Sequence, residues 1–234
     1  MSRRMKRIEK HVWTYAFRKS VPIVCSYLFV SLAYGLMMAE AGFGWYWSLF
    51  ISMIVYTGAF QFILISFFNG AASPVTIAMT AFLMNSRQVF YSLTFLKDFS
   101  EMGHRKLYMI HTMTDETYAV NCTIELSGQE KEDAMFLVAF ISRCSWMAGA
   151  VAGGLAGQLL PFDMEGIDFC MTALFVLIFL DQWEKAKSHA PALAGLGAGI
   201  LCLAVFGKNR FMLPALFLSS GFLVLHEKKE DAKS

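Results

Sequence analysis

Long apolar runs, separated by short polar stretches, extend along almost the whole chain. Residues 41–86 contain no Asp, Glu, Lys or Arg. A bilayer crossing needs about 20 mostly apolar residues, and lipid cannot hydrogen-bond to a bare backbone, so each long apolar run must be helical. The predicted segments are 21–40, 45–68, 74–96, 105–127, 134–160, 167–183, 190–206 and 210–226.

The composition strengthens this prediction. Apolar residues make up 56% of the 234 residues and charged residues only 16%, whereas a soluble domain carries about 25% charged residues. We therefore predict an all-α membrane protein, a polytopic helical bundle embedded in the lipid bilayer. It has a basic N-terminal segment (1–20), a single transmembrane domain (21–226) and a charged tail (227–234). The net charge of +2 does not indicate nucleic-acid binding, because the basic residues cluster at segment ends.

The Lys and Arg residues of the short loops predict the orientation. Seven Lys or Arg residues lie within 1–20, and the tail is also basic, so both termini are predicted to be cytoplasmic. Eight full crossings would place the basic loop at 97–106 outside. If 74–96 and 105–127 are both broken or re-entrant helices, that loop becomes cytoplasmic and the number of crossings falls to six. The sequence therefore predicts about six to eight spans.

The polar stretch around Asn85 and Arg87 lies deep inside an apolar segment. At 1.5 Å per residue, Arg87 is roughly 15–20 Å from either end of that segment. A charge at the centre of a spanning helix costs at least about 2.5–3.5 kcal/mol, and such residues usually face a cavity or a partner. The alternative is that Arg87 marks a helix end, where the chain turns back.

A second polar stretch, 111–120, places Asp115 and Glu116 about ten residues into their segment, and Arg143 lies at a similar depth in the next one. Two arginines and two carboxylates sum to zero, which is typical of a polar core that balances its own charge. A surface helix lying on the membrane is the alternative for 111–120. His111 and Asp115 do not make a zinc site by themselves, and we predict neither a metal nor a cofactor.

Two neutral patterns accompany the charges. Thr57 and Gln61 lie one helical turn apart, and Gly58 permits close backbone approach, although a plain helix–helix contact is the alternative role of Gln61. The stretch 149–157 is rich in Gly but lacks the Lys-Ser/Thr ending of a phosphate loop. Its glycines instead have the four-residue spacing of small-residue helix packing: Gly149, Gly153 and Gly157.

These motifs together resemble the AzlC-type branched-chain amino acid permease family. "SVPIV" opens the first span, and "GAFQF" (58–62), "NSRQVFYS" (85–92) and "TDETYAV" (114–120) follow in the family's order. Spaced glycines then follow Trp146. The resemblance implies export or permeation of hydrophobic neutral amino acids across the inner membrane of a bacterium. It also implies a small AzlD-type membrane protein as partner.

A zwitterionic substrate needs a cation for its carboxylate and an anion for its ammonium group. Arg87 with Asn85 is predicted to face the carboxylate, and Asp115 or Glu116 the ammonium group. Either acid is alternatively a candidate for proton coupling, because burial favours a protonated carboxyl group. Arg143 is predicted to balance the buried charge. With the motif residues included, the predicted substrate-binding residues are Gln61, Asn85, Arg87, Tyr91, Thr114, Asp115 and Glu116.

Two other classes of function compete with transport. An intramembrane enzyme is not indicated, because the chain lacks a GxSxG, an HExxH and a paired-Asp signature, and we predict no enzymatic activity. A membrane subunit that assembles or senses without transporting is the remaining alternative.

Overall fold

The computed structural model describes residues 9–70, 72–159 and 188–207, with short stretches between 176 and 222. All regular elements named within these residues are α-helices, which confirms the all-α prediction for this part of the chain. The predicted segments 167–183 and 210–226 and the tail 227–234 lie wholly or mainly outside the described residues. The helices are α1 (Lys10–Glu40), α2 (Trp45–Ile54), α3 (Gly58–Asn69), α4 (Pro74–Thr94), α5 (Leu96–Glu101), α6 (Arg105–His111), α7 (Asp115–Cys122), α8 (Gly128–Leu159) and α9 (Ala190–Phe206).

The chain groups into two compact units. The first contains residues 1–71 and 84–162, and the second contains 72–83 and 163–234. Every predicted site residue belongs to the first unit, which also holds α1–α3, the second half of α4, and α5–α8. Helix α9 belongs to the second unit.

Helices α1 and α8 pack together in parallel along most of their length. A Cβ atom on Gly153 would collide with the carbonyl of Leu32, and one on Gly35 would collide with the carbonyl of Ala150. The two backbones therefore approach as closely as only glycine permits, which confirms the predicted small-residue packing. Among the described residues, these two helices qualify by length and composition as candidate membrane spans.

The start of α1, the segment 97–106 with most of α5, and the start of α8 lie at one end of the first unit, which we call the basic end. Three pairs of oppositely charged side chains join them, one of which requires a protonated histidine. The opposite end, near Glu40 and Leu159, is called the far end. The pairs are His11–Glu130 (3.2 Å), Lys131–Asp98 (2.9 Å) and Arg105–Asp133.

Helices α2 and α3 form a broken pair that reaches the middle of α8 and then returns. The pair starts at the far end, where Trp45 packs against Gly154. It breaks at residues 55–57 and returns to the far end, where the rings of Phe43 and Phe68 lie 5.3 Å apart. The prediction of one continuous span over 45–68 is therefore wrong. The backbone leaves the helix at the break because Thr57 is extended, with φ −144° and ψ 102°.

Helices α6 and α7 form a second broken pair, which enters from the basic end. The pair starts at Arg105, next to the start of α8, and breaks at residues 112–114. It returns to the basic end, where Lys19 donates a hydrogen bond of 3.2 Å to the Thr123 carbonyl. The predicted break within 105–127 is confirmed.

Helix α4 is continuous from Pro74 to Thr94. The prediction of a broken helix at 74–96 is therefore wrong for the residues up to Thr94. The alternative that Arg87 marks a helix end is also wrong. Asn, Ser, Arg and Gln are all compatible with helical backbone, so the polar stretch changes the surface of α4 without interrupting it.

The order of a long helix followed by a broken pair occurs twice, in opposite directions. Helix α1 runs to the far end, and the α2–α3 pair enters from there. The second half of α4 runs toward the basic end, and the α6–α7 pair enters from that end. As a result the two breaks, at 55–57 and 112–114, lie in the middle of the unit beside α1 and α8.

Candidate functional site

The first break is stabilised by a buried amide. Gln61 is fully buried, and its Nε2 donates to the Val55 carbonyl, which the break leaves without a helical partner. Its Oε1 accepts a hydrogen bond of 3.1 Å from Trp146 Nε1 on α8. The indole also occupies the space beside Gly58, where a Cβ would lie 2.7 Å from Trp146 Cη2. Both the nitrogen and the oxygen of the Gln61 amide therefore have a partner within the protein.

The second break is linked to α1 through Tyr27. The Tyr27 hydroxyl lies 2.7 Å from Thr114 Oγ1 and donates a hydrogen bond of 2.7 Å to Glu116 Oε2. The Tyr27 ring meets Trp146 edge to face, with centroids 5.2 Å apart. Tyr27 and Trp146 therefore connect the two breaks through α1 and α8.

An ion pair joins α4 to the second break. Arg87 Nη1 lies 3.0 Å from Asp115 Oδ2. The Arg87 side chain is 46% exposed, and that of Asp115 is 33% exposed. The other carboxylate oxygen, Asp115 Oδ1, is buried and has no hydrogen-bond partner among the described residues. The arginine keeps donors for a further anion. The Asp115 carboxylate also interacts with the Tyr91 side chain, and its Oδ1 is the atom that can accept from a further donor.

The first break also contacts α4. Gln88 Nε2 donates a hydrogen bond of 3.2 Å to Thr57 Oγ1. One turn away, the buried Oδ1 of Asn85 has no hydrogen-bond partner within the described part of the chain. Tyr91 stacks on Tyr118 of α7 with ring centroids 4.6 Å apart. One face of α4 therefore runs past both breaks.

Arg143 does not pair with a carboxylate among the described residues. It donates from Nη2 to the carbonyl of Met53, in the last turn of α2, and lies over the rings of Tyr56 and Tyr108 at 5.7 and 5.4 Å. The last carbonyls of a helix lack helical partners and carry partial negative charge. Arg143 therefore stabilises the end of α2 before the first break. Its role in balancing the buried charge stays a prediction.

The predicted site residues thus lie at three places in the first unit. Gln61 lies at the first break, Thr114, Asp115 and Glu116 lie at the second, and α4 carries Asn85, Arg87 and Tyr91. The sequence interpretation missed Tyr27 as a member of the site. It included Gln88 in the polar stretch next to Arg87 but not among the substrate-binding residues. Tyr27 lies in an ordinary apolar span, and nothing in its local sequence marks it.

A possible metal-binding group lies away from this site. The ligand atoms of Glu9, His11 and Glu130 lie within 4.8 Å of one another at the basic end. All three residues are exposed, and exposed acidic groups of this kind are common without a metal. They have no contact with the two breaks.

Comparison with known proteins places the chain in a family. The family model described as AzlC protein matches residues 22–160, a range that contains both broken pairs. The chain belongs to the AzlC family. The resemblance drawn from the motifs is therefore confirmed, and this AzlC-family chain is a membrane protein whose described elements are helices.

Three relatives span most of the AzlC-family chain. The branched-chain amino acid transport protein AzlC of Bacillus subtilis is 36% identical and covers 91% of this chain and 84% of the relative. A membrane protein of Helicobacter pylori is 33% identical, covering 92% and 94% respectively. The inner membrane protein YgaZ of Escherichia coli is 29% identical, covering 86% and 83%. No solved structure matches the chain.

Proposed function

We propose that this protein is the large subunit of a transporter that exports branched-chain or other hydrophobic neutral amino acids, with a small AzlD-type membrane protein as partner. The name of the Bacillus subtilis relative, a branched-chain amino acid transport protein, supports the substrate class. The observation that carries the proposal is the Arg87–Asp115 pair beside the second break, with a spare donor side and a spare acceptor. We expect no enzymatic activity.

A zwitterion matches this pair in charge and in geometry. One guanidinium nitrogen of Arg87 contacts Asp115, and its remaining N–H groups are available to a carboxylate. Asp115 Oδ1 is the acceptor for the ammonium group once the site opens. Tyr91 and Asn85 line α4 on either side of Arg87. A zwitterion inserted in this way leaves the total charge of the site unchanged, so it adds no uncompensated charge inside the membrane.

The inverted arrangement supports transport rather than assembly or sensing. Discontinuous helices that meet near the middle of the membrane are typical of secondary transporters, whose sites lie where inverted repeats come together. Irregular backbone at such depth is tolerated where protein or a water-filled cavity surrounds it. The breaks at 55–57 and 112–114 provide such backbone from opposite ends.

We further propose six crossings with both termini in the cytoplasm. If both broken pairs are re-entrant, two of the eight predicted segments no longer cross. The segment 97–106 and the start of α1, which lie together at the basic end, are then both on the cytoplasmic side with the N-terminus, as the positive-inside rule requires. The connections at 41–44 and 70–73, which contain no Lys or Arg, face the opposite side.

Cysteine labelling tests this topology. In a cysteine-free background, Ser100→Cys is expected to react with a membrane-impermeant reagent from the cytoplasmic side only, and Asn69→Cys from the opposite side only. Reporter fusions at Ser2 and Ser234 are expected to agree with each other. Labelling of both cysteines from one side would refute the inverted arrangement in the membrane.

A partner is supported by the exposed face of α4. Val89 and Phe90 are 60% and 68% exposed, next to Arg87. Lipid suits the apolar side chains but not a charge at depth. A small multi-span protein that covers Arg87 on this face removes that cost. Amino acid export by the purified chain alone, at the rate of the complex, would refute the need for a partner.

Leucine uptake by inverted membrane vesicles tests the function. Vesicles with the chain and its partner are expected to accumulate leucine, and Arg87→Lys is expected to weaken this at low leucine concentration. Lysine cannot copy a bidentate grip, and a charge-assisted hydrogen bond contributes about 1.5–3 kcal/mol, or roughly ten- to hundredfold in affinity.

Arg18→Lys, on α1 at the basic end, is the matched control and should transport normally. Normal transport by Arg87→Lys at equal abundance would refute the proposal that residue 87 binds the substrate carboxylate through a guanidinium group. No leucine movement in vesicles that hold both proteins would favour an assembly or sensor subunit instead.

A further inference from the structure

Two adjacent carboxylates at the second break have different partners. Asp115 lies against the guanidinium of Arg87, at 3.0 Å. Glu116 has no Lys, Arg or His within ion-pair distance among the described residues, and accepts a hydrogen bond from the neutral Tyr27 hydroxyl instead. An adjacent cation favours the charged form of an acid, and the absence of one removes that preference. Asp115 is thus paired with a cation, whereas the described partner of Glu116 is a neutral hydroxyl.

The groups that face Glu116 are mainly neutral. Tyr27 of α1 and Tyr56 of the first break are the titratable side chains that interact with it from other elements. Arg143 of α8 lies beyond Tyr56, 5.7 Å from its ring. Glu116 is exposed at the surface of the first unit, so a proton can reach it. A carboxylate exposed at membrane depth becomes less costly when it is protonated.

The hydroxyl groups around Glu116 can reverse their direction. Tyr27 Oη lies 2.7 Å from Thr114 Oγ1, and Thr114 Oγ1 lies 3.2 Å from Thr117 Oγ1, with either atom of each pair able to donate. When Glu116 is ionised, Thr114 donates to Tyr27 and Tyr27 donates to Glu116. When Glu116 is protonated, it donates to Tyr27, Tyr27 donates to Thr114, and Thr114 donates to Thr117. All hydroxyls in the row keep a partner in both states.

We propose that Glu116, rather than Asp115, carries the proton that drives export, and that Tyr27 is the residue that positions it in both protonation states. This rests on the proposed transport function. One proton from the outside water binds Glu116 Oε2 and is released to the cytoplasm after the site changes its side. One zwitterion moves outward on Arg87 and Asp115 during the cycle, and no covalent bond is made or broken other than that to the proton.

The test uses the chain with its partner in liposomes and two measurements. The first is leucine–leucine exchange without a pH gradient, compared at pH 6 and pH 8. The second is net leucine movement driven by a pH gradient. In Glu116→Gln, net movement driven by the gradient is expected to be lost. Its exchange rate, whatever its absolute value, is expected to differ by less than about twofold between the two pH values, because an amide does not titrate.

Tyr27→Phe tests the positioning role. The variant removes the hydroxyl that contacts Glu116 Oε2, so Glu116 loses this partner in both protonation states. The dependence of leucine exchange on pH is expected to differ from that of the unaltered complex. The matched controls are Tyr15→Phe on the same helix and Glu125→Gln after α7, which should leave both measurements unchanged.

The outcomes separate the two proposals. No leucine exchange by the unaltered complex would refute the proposed function, whereas exchange that does not depend on pH would refute only the role of Glu116. A Glu116→Gln complex with normal movement driven by the gradient would overturn the inference, and so would an unchanged pH profile in Tyr27→Phe. If Glu116→Gln exchanged too slowly to measure, the Tyr27→Phe profile alone would decide.

Discussion

The two broken pairs have the same construction but different chemistry. In each pair a threonine ends the break and precedes the second helix: Thr57 before α3 and Thr114 before α7. Each threonine also contacts the long helix that leads the other pair, through Gln88 of α4 and Tyr27 of α1 respectively. The first break contains no carboxylate and lies beside Arg143, which donates to the Met53 carbonyl, whereas the second is followed directly by Asp115 and Glu116.

This difference separates a structural role from a chemical one. At the first break the amide of Gln61 is satisfied on both sides, and Trp146 fills the space beside Gly58. At the second break Asp115 Oδ1 has no partner among the described residues. Satisfied buried polar groups fix a shape, whereas a carboxylate with a free acceptor is available to a ligand or a proton. The first break therefore stabilises the helix arrangement around the second break, where the carboxylates lie.

The largest effect on stability is expected when one partner of the ion pair at the second break loses its charge. Asp115→Ala leaves Arg87 without its ion-pair partner and should lower the free energy of unfolding by about 2–3 kcal/mol. This is less than the roughly 3–5 kcal/mol of a fully buried pair, because Arg87 is 46% exposed. Unfolding in mixed detergent micelles measures it. Adding Arg87→Met should restore most of the stability but not transport. A double variant as unstable as Asp115→Ala would contradict the pairing.

An intermediate effect is expected at the first break. Trp146→Phe leaves the buried Gln61 Oε1 without a donor, which should cost about 1–3 kcal/mol. Gln61→Met should cost a similar amount, because the Val55 carbonyl then loses its partner. A double-mutant cycle on Gln61 and Trp146 should give a coupling energy of at least about 0.5 kcal/mol. Strictly additive losses would show that the hydrogen bond does not contribute. Charge removal should not alter this coupling, since neither residue touches Asp115.

The smallest effect distinguishes the two threonines. Thr114 and Thr117 form a reciprocal capping box, whereas the side chain of Thr57 makes no cap hydrogen bond. Thr114→Val should therefore cost about 0.5–2 kcal/mol of stability through the lost cap, and it also removes the hydrogen bond with the Tyr27 hydroxyl. Thr57→Val loses its hydrogen bond to Gln88 alone, which is worth about 0.5–1.5 kcal/mol. Thr114→Ser is the control and should retain the cap. Equal losses in Thr114→Ser and Thr114→Val would argue for packing rather than capping.

The sequence by itself determined the class of the protein and much of its site. Long uncharged runs can be buried in lipid only as helices, so the all-helical membrane class follows from composition and length alone. The spacing of Gly149, Gly153 and Gly157 was sufficient to predict close packing, because small residues at every fourth position lie on one helical face. The charges at Arg87, Asp115 and Glu116 were identifiable because a charge at depth is costly and needs a reason.

Only the tertiary structure decided where the chain bends and which groups pair. The segment 45–68 reads as one span because its residues are all apolar or neutral, and an apolar sequence does not reveal whether it crosses or returns. The return depends on partners far away in the chain: Trp146 and Arg143 stabilise the first break from α8. Tyr27 likewise reaches Glu116 across 89 positions of sequence. Such contacts depend on how helices pack, and local periodicity carries no information about them.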